Sequence, residues 1–549
     1  MIRHGDGSAV RGLGQPARRD AGPFAVAAAV AVLMVLPLAP ALLAGRSAAT
    51  TAGLIGLPVE SLVILLLLVV VPGRIPRLVL AAVFSGFVTV ALVLAGIDLG
   101  FQSSVGTVFV PVDWPRLGDG YGVVADAVGW FAADLLVVAV LAAVVVCAIL
   151  LARSALLVAR VVRTYAAGRR VLAAATAVWV GAALMAPPFA AAASAETIET
   201  AVSRTERVLA DQAAVARAIE RDPFAGVPAD RLLTGLRGKD VVIAFVESYG
   251  RVALEAKGIA PGVTGVLENG QTMLSAQGYT TRSAWLTSPT FGGLSWLAHA
   301  TLQTGVWTDT QSAYDQVVGS DRLSLARAFG REGWNTVSDV PSDTQRWDVG
   351  TSFYGYRTLR DATDVGYRGP TFGYARVPDQ YTLKRFADTD LSHPHAPLMA
   401  EIDLVSSHTP WAPLPQLVPW QRASDSTAYA GQPAASESAS TVWQSPTMVQ
   451  RFYGQSVQYS LGALESFLSN VDDPNLVLIV LGDHQPASIV SGAGASHDVP
   501  ISIIARDPAV FTAISDWEWT PGLIPGSGAP VWRMDAFRDR LLAAFSPTL

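Results

Sequence analysis

Cysteine is almost missing from this chain. Its 549 residues include one, Cys147, set in an apolar run. No disulfide can form within the chain, so cysteine usage does not report the compartment. Histidine is scarce as well. The seven histidines and the more numerous acids must therefore carry any metal chemistry. Charged residues make up 15% of the chain and the net charge is -6. A chain without a basic excess lacks the electrostatic footprint of a nucleic-acid binder, so no nucleic-acid partner is expected.

Hydrophobicity is what the chain has in excess, at 51% overall. The excess sits in the first 195 residues, while the remainder has ordinary globular composition. Five apolar segments there are long enough to span a bilayer, which takes roughly 20 residues. They cover about 24–44, 54–71, 78–97, 131–152 and 171–194. Four more segments follow the first, so it does not read as a cleavable signal peptide. The flanking charges set orientation. Arg3, Arg11, Arg18 and Arg19 precede the first segment. Arg74 and Arg77 follow the second, and Arg153, Arg160, Arg163, Arg169 and Arg170 follow the fourth. The alternate links hold only Arg46 and Arg116, and the longer one carries Asp98, Asp113, Asp119 and Asp126. The basic links are expected inside, and everything after residue 194 outside. Glu60 and Asp134 are the ionisable residues within the spans. Both lie near a span's start, which favours an interfacial position over a functional one. The stretch 153–170 mixes Arg with Leu and Val and reads as an interfacial helix. No pair of spans is broken by Gly and Pro, which argues against a transporter.

Four regions are expected: a cytoplasmic basic tail over 1–22, five transmembrane helices over 23–194, a juxtamembrane helix and linker over 195–237, and an outer domain over 238–549. In the last, short apolar runs alternate with helical patterns. DVVIAFVES (240–248), PLMAEIDLVSSH (397–408), LVLIVL (476–481) and VPISIIAR (499–506) read as strands. SLARAFGREGWNTVSDV (324–340) reads as helix, Gly, strand, and 452–471 as an amphipathic helix. The alternation predicts an α/β domain around a mostly parallel central sheet. The small polar piece 424–444 reads as a flexible surface insertion.

Ligands collect beyond the carboxyl ends of strands in such sheets. Glu247 follows VVIAFV, Asp483 and His484 follow LVLIVLG, and His408 follows the 397–406 run. Each alone is an ordinary loop residue or helix cap. Together, an acid pair with a histidine suits a divalent cation such as Mn, Mg or Zn. The stretch 281–307 is rich in hydroxyls, and Gly292-Gly293 allows backbone to approach an anion closely. The plain alternative is a loop before a helix, with Ser295 as its N-cap.

These motifs resemble the alkaline phosphatase/sulfatase superfamily. The layout of spans plus outer domain is similar to lipoteichoic acid synthase, membrane phosphoglycerol transferases and phosphoethanolamine transferases. The resemblance runs from Asp240 to about Arg506. It implies a sulfatase-like fold with Glu247, Asp483 and His484 as metal ligands. Counting back from Thr304-Gly305 in ATLQTGVW, it implies Ser295 as nucleophile and metal ligand, with Thr290 in SPTFGG as alternative. SHTPW and SHDVPISII imply His408 and His497 as substrate residues, and Trp347 is similar to a head-group tryptophan. Sulfatases need Pro and Arg after the residue that is oxidised. Ser295 is followed by WLAH, so a sulfatase is disfavoured. The arginine expected two places after Trp347 is replaced by Val349. The function implied is metal-dependent transfer of a phosphoglycerol-like head group through a covalent Ser/Thr phospho-enzyme. One divalent ion, Mn2+ before Mg2+ or Zn2+, would serve it. The donor would be a membrane phospholipid and the acceptor an envelope glycan, lipid or water. A membrane-anchored phosphodiesterase or phosphatase and a non-catalytic envelope-binding protein are the alternative readings.

Overall fold

The structure, a computed structural model, describes residues 22–43, 58–104, 130–185, 192–392 and 395–546, together with 108–111, 114 and 121. The basic tail with Arg3, Arg11, Arg18 and Arg19 lies outside the described residues, as do Arg46, Arg116, Asp113, Asp119 and Asp126. The chain divides into two compact units. One comprises Met1–Leu99 and Trp114–Arg204, the other Gly100–Asp113 and Thr205–Leu549.

The first unit is helical: α1 (Pro23–Leu43), α2 (Val59–Val70), α3 (Arg74–Ser104), α4 (Trp130–Thr164), α5 (Ala166–Met185) and the start of α6 (Ala193–Glu220). Among the described residues three helices are long and apolar enough to cross a membrane, over Pro23–Leu43, Arg74–Gln102 and Trp130–Thr164. The second and fifth expected spans correspond to α2, with 12 residues, and α5, which carries Arg169 and Arg170 near its start. Leu33, Leu65, Leu68, Val88, Leu151 and Ala159 form the core of the unit. Leu135, Val138, Leu141 and Val145 on α4 stay exposed, an apolar face suited to lipid tails. The expected interfacial helix over 153–170 is different in the structure. Residues 153–164 continue α4 without a break, because Leu151, Ala155, Val158 and Val162 carry one buried stripe through the Arg-bearing turns. Glu60 is a cap. Its Oε1 accepts the backbone N–H groups of Ser194 (2.9 Å) and Ala195 (3.2 Å), two of the free donors at the start of α6. Asp134 accepts the Tyr121 hydroxyl at 2.5 Å.

The second unit is an α/β domain. Among its described residues nine strands form one sheet: β1 (Asp240–Val246), β2 (Thr280–Thr287), β3 (Asn335–Val340), β4 (Thr358–Asp361), β5 (Leu398–Leu404), β6 (Leu476–Gly482), β7 (Asp498–Ala505), β8 (Thr520–Pro521) and β9 (Val531–Arg533). Their order is β4-β3-β5-β1-β6-β7-β2-β8, with β9 also on β2. The first five are parallel, but β7 runs antiparallel to β6 and β2, and β8 antiparallel to β2. The sheet is therefore mixed. The 483–497 connection has only one helical turn (Ser488–Ser491) and returns the chain alongside β6, whereas a parallel neighbour needs a crossover, usually a helix.

Strands β1 and β6 are buried throughout because both faces are covered. Val241, Ile243, Phe245, Ile479 and Leu481 point into one core and Val242, Ala244, Val246, Leu478 and Val480 into the other, as the two-residue period requires. Each Val, Leu, Ile and Phe among them contributes about 1.5–3 kcal/mol. The first core is closed by α8 (Ser295–Thr304), α9 (Leu325–Glu332) and α11 (Ala536–Phe545), the second by α7 (Ala260–Ala276) and α10 (Pro446–Asn470). The expected flexible insertion over 424–444 is ordered instead into short helical turns at Ser426–Tyr429, Gln432–Ala435 and Ala439–Val442. Tyr429 and Val442, both 0% exposed, pin it to the body despite its polar composition.

Candidate metal and nucleophile site

The parallel register of β1 and β6 sets Val246 opposite Gly482, so Glu247 and Asp483 leave the sheet side by side. The strands come close there. A Cβ on Gly482 would stand 1.9 Å from the carbonyl oxygen of Tyr249, so only glycine fits. Ser248 takes a left-handed turn (φ 55°) that directs its N–H at Asp483 Oδ1 (2.7 Å). That oxygen also accepts the N–H of His484 (2.7 Å). Asp483 Oδ2 is thereby left facing His484 Nε2 at 3.3 Å. His484 Nδ1 donates to the carbonyl of Gln485 (2.9 Å), which turns Nε2 into the site as a ligand atom. Ser407 Oγ holds the carbonyl of Glu247 (2.6 Å) and Tyr453 the carbonyl of Ser248 (2.8 Å).

The loop before α8 is stitched to the same edge. Ser288 Oγ donates to the Asp483 carbonyl (2.6 Å) and Gly292 N to the Gln485 carbonyl (2.8 Å). Gly292, Gly293 and Leu294 then take three successive positive φ values, 73°, 155° and 64°. Leu294 occupies the cap position, without a side-chain cap, and Ser295 is the first helical residue. The Ser295 hydroxyl, released from capping, donates to Glu247 Oε2 at 3.1 Å and stands 3.1 Å from His484 Nε2. His484 Nε2 is 3.6 Å from Glu247 Oε1.

Atoms bound at about 2.0–2.1 Å around a tetrahedral ion stand roughly 3.3 Å from one another. The separations between Ser295, Glu247, Asp483 and His484 bracket that value, so these side chains fit one divalent cation. The charges agree. Burial raises the Glu247 carboxyl, but nearby His408 and His484 and the Ser248 hydroxyl outweigh it and hold the group well below the usual carboxylate range. Burial and the Glu247 charge push Asp483 up. Two buried carboxylates in one site repel, and a bound cation relieves that.

Among the other expected residues, His408 lies close enough to Glu247 to act on its charge, and Trp347 has no contact with Glu247, Ser295, Asp483 or His484 among the described residues. Thr290 is 1% exposed, and its hydroxyl is 3.4 Å from Ser288 Oγ. His408 stacks on Tyr374 (centroids 3.7 Å apart), and its Nδ1 binds the Thr409 carbonyl at 2.6 Å. His497 packs on Phe291 (5.3 Å), with Nδ1 3.3 Å from the Ser288 carbonyl. Trp347 packs against Tyr354 and Tyr356, at 5.2 and 6.4 Å. Ser248 was not foreseen, nor were His299, Glu401 and Asp403, which cluster beneath α8. Two signals were available: His299 lies one helical turn from Ser295, and two acids alternate on one face of an apolar strand.

No protein-family model matches the chain, and no curated protein matches it in sequence. Among solved structures, it is similar to the lipoteichoic acid synthase LtaP from Listeria monocytogenes (16% identity, 56% of this chain and 72% of that one, TM-score 0.36). It is similar to a protein in the alkaline phosphatase superfamily from Vibrio parahaemolyticus (18%, 54% and 68%, TM-score 0.35). It is also similar to the Streptococcus pyogenes phosphoglycerol transferase GacH in complex with sn-glycerol-1-phosphate (12%, 61% and 92%, TM-score 0.36).

Proposed function

We propose that the protein transfers a phosphorylated, phosphoglycerol-like head group from a membrane phospholipid to an envelope acceptor hydroxyl. The observation that carries this reading is the convergence of the Ser295 hydroxyl with Glu247 and His484 at 3.1 Å. A lone serine is a weak nucleophile, and activation by a metal is a common remedy. A divalent cation, Mn2+ in this reading, would be held by Glu247, Asp483, His484 and Ser295; when bound it lowers the hydroxyl pKa and neutralises phosphoryl oxygens. Ser295 Oγ attacks phosphorus. The Oγ–P bond forms, the P–O bond to diacylglycerol breaks, and a covalent phospho-serine remains. His408 carries the proton from Ser295 to the departing oxygen. Its Nδ1 is engaged by the Thr409 carbonyl, which leaves Nε2 for this task. In the second half the acceptor hydroxyl attacks, its proton returns through His408, and Ser295 is restored. His497 and Trp347 are assigned to holding donor and acceptor. The N-terminal unit crosses the cell membrane five times with its N-terminus in the cytoplasm, and residues 238–549 lie outside.

The test is the intact mass of the full chain after incubation with phosphatidylglycerol and Mn2+. A glycerophosphate adduct mapping to Ser295 is expected, present in Thr290→Ala and absent from Ser295→Ala. An adduct that survives Ser295→Ala removes the assignment.

A further inference from the structure

We propose that His299, Glu401 and Asp403 form a second divalent-metal site, of the zinc or manganese kind, under the helix that carries Ser295. The three residues come from two elements whose geometry is set by the core. His299 lies four residues after Ser295 on α8, on the same face and about 5–6 Å away between Cβ atoms. Glu401 and Asp403 are alternate residues of β5, so both leave the same side of the strand. His299 Nδ1 stands 3.0 Å from Glu401 Oε1 and 3.6 Å from Asp403 Oδ1. These values again bracket the roughly 3.3 Å between ligands of a tetrahedral ion.

The surroundings are those of a supported ligand set. Phe245 lies flat on the imidazole, with centroids 3.7 Å apart and planes at 12°, and fixes the ring. Tyr356 donates its hydroxyl to Glu401 Oε2 at 2.8 Å, and Gln303 Nε2 donates to the same oxygen, which leaves Oε1 to face His299. Asp403 Oδ1 is buried and has no hydrogen-bond partner. Its contact with His299 Nδ1, at 3.6 Å, is beyond hydrogen-bond reach, and that nitrogen faces Glu401 Oε1 at 3.0 Å. Asp343 adds further negative charge beside the Asp403 carboxyl. A divalent ion with a neutral imidazole balances both carboxylates and supplies the missing partner of Asp403. Three protein ligands leave a tetrahedral ion one open position. The site does not depend on the phosphotransfer reading.

The test counts metal per chain. Detergent-solubilised full-length protein is stripped with chelator, dialysed against Zn2+ or Mn2+, and its metal measured by mass spectrometry. Two ions per chain are expected, falling to one in Asp403→Asn, in Glu401→Gln and in Asp483→Asn. A single ion that Asp483→Asn removes and Asp403→Asn retains overturns the second site while leaving the first. Two ions retained in both β5 variants also overturn it. Co2+ titration of the wild-type chain is a check that needs no variant: two saturating steps in the visible spectrum support the proposal, and one step refutes it.

Discussion

At the scale of single residues, the chemistry of this protein depends on which atoms are left over once hydrogen bonds are satisfied. Leu294, not Ser295, is the cap of α8, so the Ser295 hydroxyl is spent on Glu247 and His484. Replacing Ser295 with Ala is expected to lower turnover by about a thousandfold or more, as loss of a nucleophile does. Single-turnover kinetics on the purified chain check this. Asp379 has a different consequence. It is 0% exposed, and burial pushes it to about 6 although it accepts bonds from Ser460 Oγ and Ser406 N. Its folded value is above the ordinary 3.8, so the folded state keeps a proton that the unfolded chain has lost. The stability it contributes is present below pH ~4 and is lost as pH rises through about 6. At about 1.4 kcal/mol per unit, the loss is roughly 2–3 kcal/mol. Asp379→Asn keeps the acceptor for Ser406 and has no charge to bury. Relative to wild type, its urea midpoint is expected to rise between pH 4.5 and 7.5. An unchanged difference between the two proteins would refute this.

At the scale of elements, the site is an agreement between two strand ends and one helix start. Gly482 is the tightest point, because the atom in the way is backbone and has nowhere to move. Gly482→Ala is expected to destabilise the second unit by about 3 kcal/mol or more and to weaken metal binding with it. Urea unfolding followed by tryptophan fluorescence, with metal counted on the same samples, tests both. Much of this was legible in the sequence. Six apolar residues before Gly482 mark a strand buried on both faces, and the Asp-His pair after it has no reason to follow a mere turn. Residues 280–287 were not legible as a strand. TTRSAWLT interleaves hydroxyls with apolar residues and reads as loop until β7 and β9 flank it. The same holds for 424–444, whose burial depends on two side chains in a polar run.

At the scale of the molecule, the second unit has its own sheet and a core on each face of it. Among the described residues, the side chains of those two cores come from positions 215–545. Residues 205–549 expressed alone are expected to stay soluble, to unfold in a single transition and to bind the same number of metal ions as the full chain. Circular dichroism with a metal count checks this; a fragment with no cooperative transition would refute it. The full chain is expected in the membrane fraction and to resist extraction by high salt, because the exposed apolar face of α4 needs lipid and not charge.

What the sequence by itself determined is local. Apolar length marked out the three helices long enough to cross a membrane, though it predicted five, the two-residue and 3.6-residue periods set out most strands and helices, and the ends of apolar strands named Glu247, Asp483, His484 and His408. Only the tertiary structure decided adjacency. That β1 and β6 are neighbours, that β7 runs antiparallel to β2, and that His299 meets Glu401 and Asp403 depend on contacts between residues roughly 100 to 240 positions apart. No local period encodes such contacts. They are chosen by the burial of both faces of one sheet, which is a property of the assembled chain.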